Sequence, residues 1–146
     1  MSEAIDVAVA DLYDELERTL AAAETFPEAI GLILAPWRRL LVDYEFVLGC
    51  PLAATVVDAA GNDELRLHVS GLLARWQAAV ADVYTKFGAS RAVADEYATV
   101  LLAALEGALI LARARRSIDP LDTVERHFAA GAPSAPAGAL APALEN

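Results

Sequence analysis

Apolar residues recur every three or four positions along most of the chain, which is the period of an amphipathic helix. Three such stripes predict a helix over about residues 3–24, a second opened by Phe26 and Pro27, and a third over about residues 63–87. No segment alternates with a period of two, so we expect no β-strand. The stripes are Ile5, Val9, Leu12, Leu16 and Leu20; Ile33, Trp37, Leu40, Tyr44 and Val47; and Leu65, Val69, Leu72, Trp76, Val80, Val83 and Phe87.

Breaking and capping residues divide these stripes into separate elements. The break at residues 49–51 precedes a helix of about two turns, which we expect to end near residue 60. Asn62 or Asp63 is suited to cap the third stripe, and Gly88 and Ser90 separate it from the next helix. Each predicted boundary lies at a residue that either caps the unpaired backbone groups at a helix end or interrupts the helical hydrogen bonds.

The helix predicted over about residues 91–116 is apolar on nearly every side between Tyr97 and Ala112. Such a helix must be covered on more than one side. Because five or six helices are too few to cover it completely, we expect one side to face the domain's own core and another to face a second subunit. The small residues Ala104, Gly107 and Ala108 would allow a partner helix to approach closely.

A last helix is predicted to begin at Asp119 and Pro120, a capping residue followed by proline in the first turn. Residues 131–146 are rich in alanine, proline and glycine, which is typical of a disordered tail. We therefore predict one all-α domain, a bundle of five to six helices spanning residues 3–130, followed by that tail.

Composition narrows the classes of function. The chain has 146 residues, 57% of them apolar, and a net charge of −10 from 11 basic and 21 acidic residues. This charge argues against direct nucleic-acid binding by this chain. The acidic N-terminus predicts no signal peptide, and the uncharged part of the apolar helix falls short of the roughly 20 residues that span a bilayer. We expect a cytoplasmic protein without a membrane segment.

Sequence motifs of catalysis and metal binding are missing from the chain. It has no nucleophile elbow, no phosphate-binding glycine loop and no His-Glu-x-x-His. Its two histidines and single cysteine lie on separate elements and make a poor zinc set. We therefore expect a protein that is not an enzyme and that needs no metal or cofactor.

The aromatic residues Trp37, Tyr44, Phe46 and Trp76 form the first feature that could bind a ligand. Tryptophans on regular stripes are commonly core residues. Pro36, however, lies inside the second stripe and predicts a kinked helix, or two short helices that meet there. A bend beside Trp37 favours a cavity lined by large apolar side chains.

Two polar residues in apolar surroundings leave alternatives open. Glu106 is the one charge in a 16-residue apolar run and shares a helical face with Asp95, Thr99 and Arg113. It is either part of a polar strip that partly reaches solvent, or paired with an arginine, or a buried carboxylate in a ligand pocket with a raised pKa. Cys50, before Pro51, is either a redox-sensitive thiol at a helix N-terminus or a small buried side chain.

Three segments, taken in order and spacing, resemble the C-terminal regulatory domain of TetR-family transcription factors of the LmrA/YxaF-like subgroup. They are LGCPLA at 48–53, LLARW at 72–76, and LEGALILARARRS at 105–117 followed by DPL at 119–121. The resemblance covers about residues 3–130. It implies an all-helical domain that dimerises through its last two long helices and holds a small, mostly apolar effector among its middle helices.

The resemblance also implies which residues perform these tasks. The implied effector site consists of Trp37, Leu41, Tyr44, Leu72, Trp76, Leu102 and Glu106. The implied dimer interface consists of Leu101, Ala104, Ala108 and Leu111 on one helix and Leu121, Val124 and Phe128 on the next.

We therefore expect the ligand-sensing and dimerisation domain of a TetR-like regulator, and two alternatives stay open. The sequence starts partway along the helix that would connect a DNA-binding head to this domain, so the chain could be a headless heterodimer partner of an intact regulator. It could also be a small helical-bundle binding protein or enzyme that uses Glu106.

Overall fold

The computed structural model describes residues 13–14, 16–58 and 60–131. This part of the chain forms six helices and contains no strand, which confirms the predicted all-α bundle. The predicted stripe positions Ile5, Val9 and Leu12, and the predicted tail beyond Gly131, lie outside the described residues. The helices are α1 (residues 13–14 and 16–22), α2 (Phe26–Asp43), α3 (Pro51–Asp58), α4 (Asp63–Lys86), α5 (Arg91–Arg115) and α6 (Asp119–Ala130).

Side-chain caps begin the three long helices. Thr25 and Glu28 form a reciprocal capping box at the start of α2. The side chain of Asn62 accepts from the Leu65 amide at 3.0 Å, and that of Ser90 accepts from the Val93 amide at 3.4 Å. Asn62 and Ser90 were both predicted as caps. At α6 the prediction was wrong by one residue, because Ile118 is the N-cap and Asp119 is already helical.

Pro36 lies inside α2, which nevertheless continues from Phe26 to Asp43. The alternative of two short helices meeting at Pro36 is therefore wrong. The inner face of α2 explains why the helix tolerates the lost hydrogen bond. Ile33, Leu34 and Leu41 are completely buried, and tertiary packing of an apolar face supplies most of a helix's stability in a protein.

The turn after α2 brings the chain back to the bundle. Glu45 and Phe46 both have positive φ, 51° and 64°, a conformation that is uncommon for residues other than glycine. The Phe46 amide donates to the Leu41 carbonyl at 2.7 Å, and its half-buried ring packs against the core. This turn places Cys50 and the start of α3 against α5.

Helix α5 lies at the centre of the packing, with α4 on one side and α6 on another, while α2 packs on α6. Arg38 of α2 joins these last two helices, donating to Asp122 at 2.6 Å and to Glu125 at 2.5 Å. The inner face of α5 is buried in the core of its own chain, through Ala94, Ala98, Leu101, Leu105, Ala108, Leu109 and Ala112.

Helix α5 is also the one described helix long and apolar enough to cross a membrane by length and composition. We expected a segment too short to span a bilayer because we counted only the stretch from Tyr97 to Ala112. The whole helix has 25 residues. A single such helix is weak evidence, since core helices pass the same test, and one face of α5 does lie in the core.

Candidate functional site

A small cavity lies between α1, α2, α3 and α4, with the two tryptophans of the chain in its wall. The ring centroids of Trp37 and Trp76 are 5.2 Å apart, with their planes inclined by 39°. The cavity has a volume of about 40 Å³. Its walls are almost entirely apolar and consist of Tyr13, Leu16, Ile33, Pro36, Trp37, Leu52 and Trp76.

Tyr13 attaches α1 to α4 at the edge of this cavity. Its hydroxyl donates to the Leu72 carbonyl at 3.0 Å, and the Arg75 guanidinium lies 5.4 Å from the centre of its ring. Burial raises the pKa of Tyr13 to about 12; the nearby Cys50 adds to the increase and Arg75 opposes it. The phenol is therefore neutral at physiological pH and serves as a donor.

Further polar contacts hold α1 on α4. Arg75 pairs with Asp14 at 2.7 Å, and the Lys86 ammonium donates to the carbonyls of Ala21 at 2.7 Å and Ala23 at 2.6 Å. A lysine at the C-terminal end of a helix satisfies carbonyls that have no partner within that helix. The wall that α1 contributes to the cavity thus depends on a few polar contacts.

The structure brings together part of the predicted effector site. Trp37 and Trp76 meet in the cavity wall, and Leu72 lies beside it, since its carbonyl binds Tyr13. Leu41 is completely buried in the core, and Leu102 is partly buried against it; neither lines the cavity. The prediction needs correction at Tyr44, which follows the last residue of α2 and is 55% exposed.

Sequence reasoning missed Tyr13 and Leu52 as lining residues. Leu16 and Ile33 were identified as stripe residues without a role in the cavity. Tyr13 lies three positions before Leu16, so the helical period contained a signal for it. The position of Leu52 depends on how α3 folds back over the bundle, for which no local pattern exists.

A second, more open groove of about 370 Å³ lies between α3 and α5. Glu106 and Cys50 both line it. Burial raises the pKa of Glu106, which the neighbouring Cys50 partly offsets, and Oε1 of Glu106 is buried without a partner. Glu106 as a whole is half-buried, with one carboxylate oxygen covered, so it matches none of the interpretations fully, and it lies outside the tryptophan cavity.

Cys50 is a buried thiol. It is 5% exposed, and its pKa is raised to about 12, first by burial and then by the neighbouring Glu106. The thiolate favoured at a helix N-terminus does not form here, because desolvation outweighs the helix dipole. Of the two alternatives for Cys50, the small buried side chain is therefore the one that the structure favours.

The outer face of α5 carries large apolar side chains without cover. Val100 is 57% exposed, Ile110 67% and Leu111 45%. Together with Ala103 and Gly107 they form what we call the outer stripe. Glycine and alanine lie between the larger side chains, a pattern that lets a second helix approach.

The predicted interface residues divide between the two faces of α5 and α6. Leu111 is exposed, and Ala104 and Val124 are partly buried. Leu101, Ala108, Leu121 and Phe128, by contrast, lie in the chain's own core, with exposures of 0%, 3%, 0% and 9%. The prediction is corrected at Leu101, Ala108 and Leu121, because a side chain enclosed by its own protomer has no surface left for a partner. Phe128 differs from these three, since it also lines a groove between α5 and α6.

No group of three or more His, Cys, Asp or Glu side chains suited to a metal occurs in the described ranges.

Comparison with known proteins identifies the class. The family described as "Transcriptional regulator LmrA/YxaF-like, C-terminal domain", of the TetR type, matches residues 27–127. The chain belongs to this family, as the resemblance in its sequence indicates. The match covers α2 to α5 and most of α6. The outer stripe lies within it, as does the cavity wall apart from Tyr13 and Leu16.

The chain is also similar in sequence to two curated proteins. The chain is 35% identical over 139 residues to the uncharacterized HTH-type transcriptional regulator Rv0196 of Mycobacterium tuberculosis (strain ATCC 25618 / H37Rv). It matches the regulator MT0206 of strain CDC 1551 / Oshkosh equally. In each case the match covers 88% of this chain and 67% of the relative. No solved structure matches significantly.

Proposed function

We propose that this chain is the ligand-sensing and dimerisation part of a TetR-like transcriptional regulator that works in the cytoplasm. The cavity beside Trp37 and Trp76 receives a small, mostly apolar effector, and the outer stripe of α5, with the adjoining surface of α6, forms a homodimer. Membership of the regulator family supports the general role. The exposed outer stripe is the observation that supports the proposed dimer most directly.

An exposed stripe of this kind has a clear physical consequence. Val100, Ile110 and Leu111 place large apolar surfaces side by side along one helix, and a soluble monomer rarely leaves such a patch uncovered. A twofold axis would bring two copies of α5 together, each covering the other's stripe. Beside it, between α5 and α6, lies a groove of about 420 Å³ lined in part by Tyr97, Val100 and Phe128, into which side chains of the partner fit.

The effector must enlarge the cavity in order to enter it. Ligand pockets commonly measure 300–1,000 Å³, whereas this cavity measures about 40 Å³. Tyr13 and Leu16 on α1, and Leu52 on the eight-residue helix α3, form the part of the wall that we propose moves. An effector that displaces them binds one arrangement of α1 better than another, which is the differential affinity that a ligand switch requires.

The assembly is tested by sedimentation of the full chain at micromolar concentration. We expect a dimer, and we expect Ile110→Glu to give a folded monomer, because it places a charge in the outer stripe. Leu67→Glu is the matched control: Leu67 is 61% exposed on α4, a helix that is not part of the proposed interface, and its variant should remain dimeric. A monomeric wild type, or equal dissociation of both variants, would refute the proposed interface.

A further inference from the structure

The indole N–H of Trp76 is buried without a hydrogen-bond acceptor. The side chain is 2% exposed, and Nε1 has no partner in the structure. Most buried donors in proteins are paired, because an unpaired one loses its hydration without compensation. An orphaned donor of this kind calls for an explanation, and its position supplies one.

Trp76 forms part of the wall of the effector cavity, and it does not line the grooves beside Lys86, Glu106 or Tyr97. The hydroxyl of Tyr13 in the same wall already donates to the Leu72 carbonyl. Tyr84 offers a contrast: its hydroxyl is also buried without a partner, but its ring packs between Phe26 and Tyr97 and lines none of these cavities. Of the two rings with an unpaired buried donor, that of Trp76 is therefore the one that lines the effector cavity.

We propose that Trp76 Nε1 donates a hydrogen bond to the effector, and that the effector is a small apolar molecule carrying a neutral acceptor such as a ketone, ester or ether oxygen. This inference rests on the effector site proposed above. An indole N–H donates and cannot accept, so a ligand with donors alone gains nothing from it.

The charge of the wall favours a neutral acceptor over an anionic one. None of the seven lining side chains carries a charge at neutral pH, and Arg75, which lies over the Tyr13 ring, is already paired with Asp14 and Glu17. An anion in this cavity would lose its hydration without a free cation to replace it. A neutral oxygen costs much less to remove from water than an anionic one, and it accepts a hydrogen bond from the indole N–H with the same geometry.

A water molecule is the simplest competitor for the indole. The cavity is large enough for one, but a buried water needs two to four polar partners. Among the lining residues only Tyr13, Trp37 and Trp76 have a polar side-chain atom, and the Tyr13 hydroxyl already donates to Leu72, so a water there would be weakly held. An effector oxygen replaces it at little cost, while the rest of the molecule covers the apolar wall.

The test uses two probes of similar shape, ethylbenzene and acetophenone, in which a methylene is replaced by a carbonyl. Calorimetric titration gives the ratio of their dissociation constants for wild type, Trp76→Phe and Trp37→Phe. We expect the relative preference for acetophenone to fall about tenfold in Trp76→Phe. It should persist in Trp37→Phe, which makes the same substitution on the facing ring.

The outcomes separate the two proposals. If both probes bind and their ratio is unchanged in Trp76→Phe, or falls equally in Trp37→Phe, the hydrogen bond to Trp76 is refuted and the effector site stands. If neither probe binds the wild type, the effector site itself is refuted.

A second measurement does not need Trp76→Phe to fold. The chain has two tryptophans, so a proton–nitrogen correlation spectrum of the wild type shows two indole signals. The spectrum of Trp37→Phe, which keeps Trp76, assigns them. We expect acetophenone, but not ethylbenzene, to move the Trp76 indole proton downfield; equal shifts with both probes would contradict the inference.

Discussion

Ionisation of Cys50 should make the fold sensitive to alkaline pH. The thiol is buried beside Glu106, and its pKa is raised from 9.0 to about 12. Because the folded state holds the proton more tightly than the unfolded state, the thiol's contribution to stability is complete below pH 9. It is lost progressively as the pH rises from 9 towards 12.

The size of this loss follows from the two pKa values. Between pH 8 and pH 10 an unfolded thiol of pKa 9.0 ionises almost completely, while the folded thiol of pKa about 12 does not. The free energy of unfolding should therefore fall by about 1.4 kcal/mol over this interval from Cys50 alone. Complete ionisation of the thiol in both states, well above pH 12, would bring the total to about 4 kcal/mol.

The assay is urea denaturation of wild type and Cys50→Ala at pH 8, 9 and 10. Tyr13 and Tyr84, whose pKa values burial also raises, contribute to the same trend in both proteins. Subtracting the two curves removes their effect and leaves that of the thiol. The alanine variant has a constant offset from its lost packing, but its stability should fall less steeply. A difference between the two proteins that stays constant from pH 8 to pH 10 would show that Cys50 titrates as a free thiol.

Two further substitutions test the polar contacts between helices. Arg38→Met should lower the free energy of unfolding by about 1–2 kcal/mol in urea denaturation, because Asp122 and Glu125 lose a half-buried cation; a change below 0.3 kcal/mol would indicate a surface pair of no consequence. Glu106→Gln should become more stable relative to wild type as the pH rises above the ordinary glutamate value of 4.5, because burial raises the pKa of Glu106 and its ionisation opposes folding. An urea midpoint difference that does not vary between pH 4.5 and pH 8 would contradict this.

Much of the fold could be predicted because its determinants are local. Asn62 and Ser90 cap their helices through backbone groups three residues away. Gly88, with φ of 103°, ends the third stripe where a left-handed residue is needed. Pro36 shows the limit of such rules. Its local effect predicts a bent or a broken helix, but α2 is not broken there, because its inner face packs in the core.

The candidate site was predictable in part for the same reason. Trp37 and Trp76 stand on regular stripes, and each stripe points to the core, so their meeting is a natural result of packing two helices. Tyr44 lies one turn beyond Leu40 on the same stripe, but α2 ends at Asp43 and the side chain turns to solvent. The contacts of Cys50 with Glu106, and of Tyr13 with Leu72, join residues more than 50 positions apart, for which a single sequence holds no periodic signal.

Helix α5 shows why an apolar pattern can predict a second subunit without naming the residues that face it. Both of its faces have helical spacing, so periodicity alone does not distinguish the core from the interface. Size does not distinguish them either. The inner face combines alanines with Leu101 and Leu105, and the outer stripe combines Ala103 and Gly107 with larger side chains. The side chain of Leu101 has the right character for either face. Which face of α5 is buried is therefore decided by where α4 and α6 pack, a tertiary contact that no local pattern records, and the apolar face left exposed is the one that we propose for the partner.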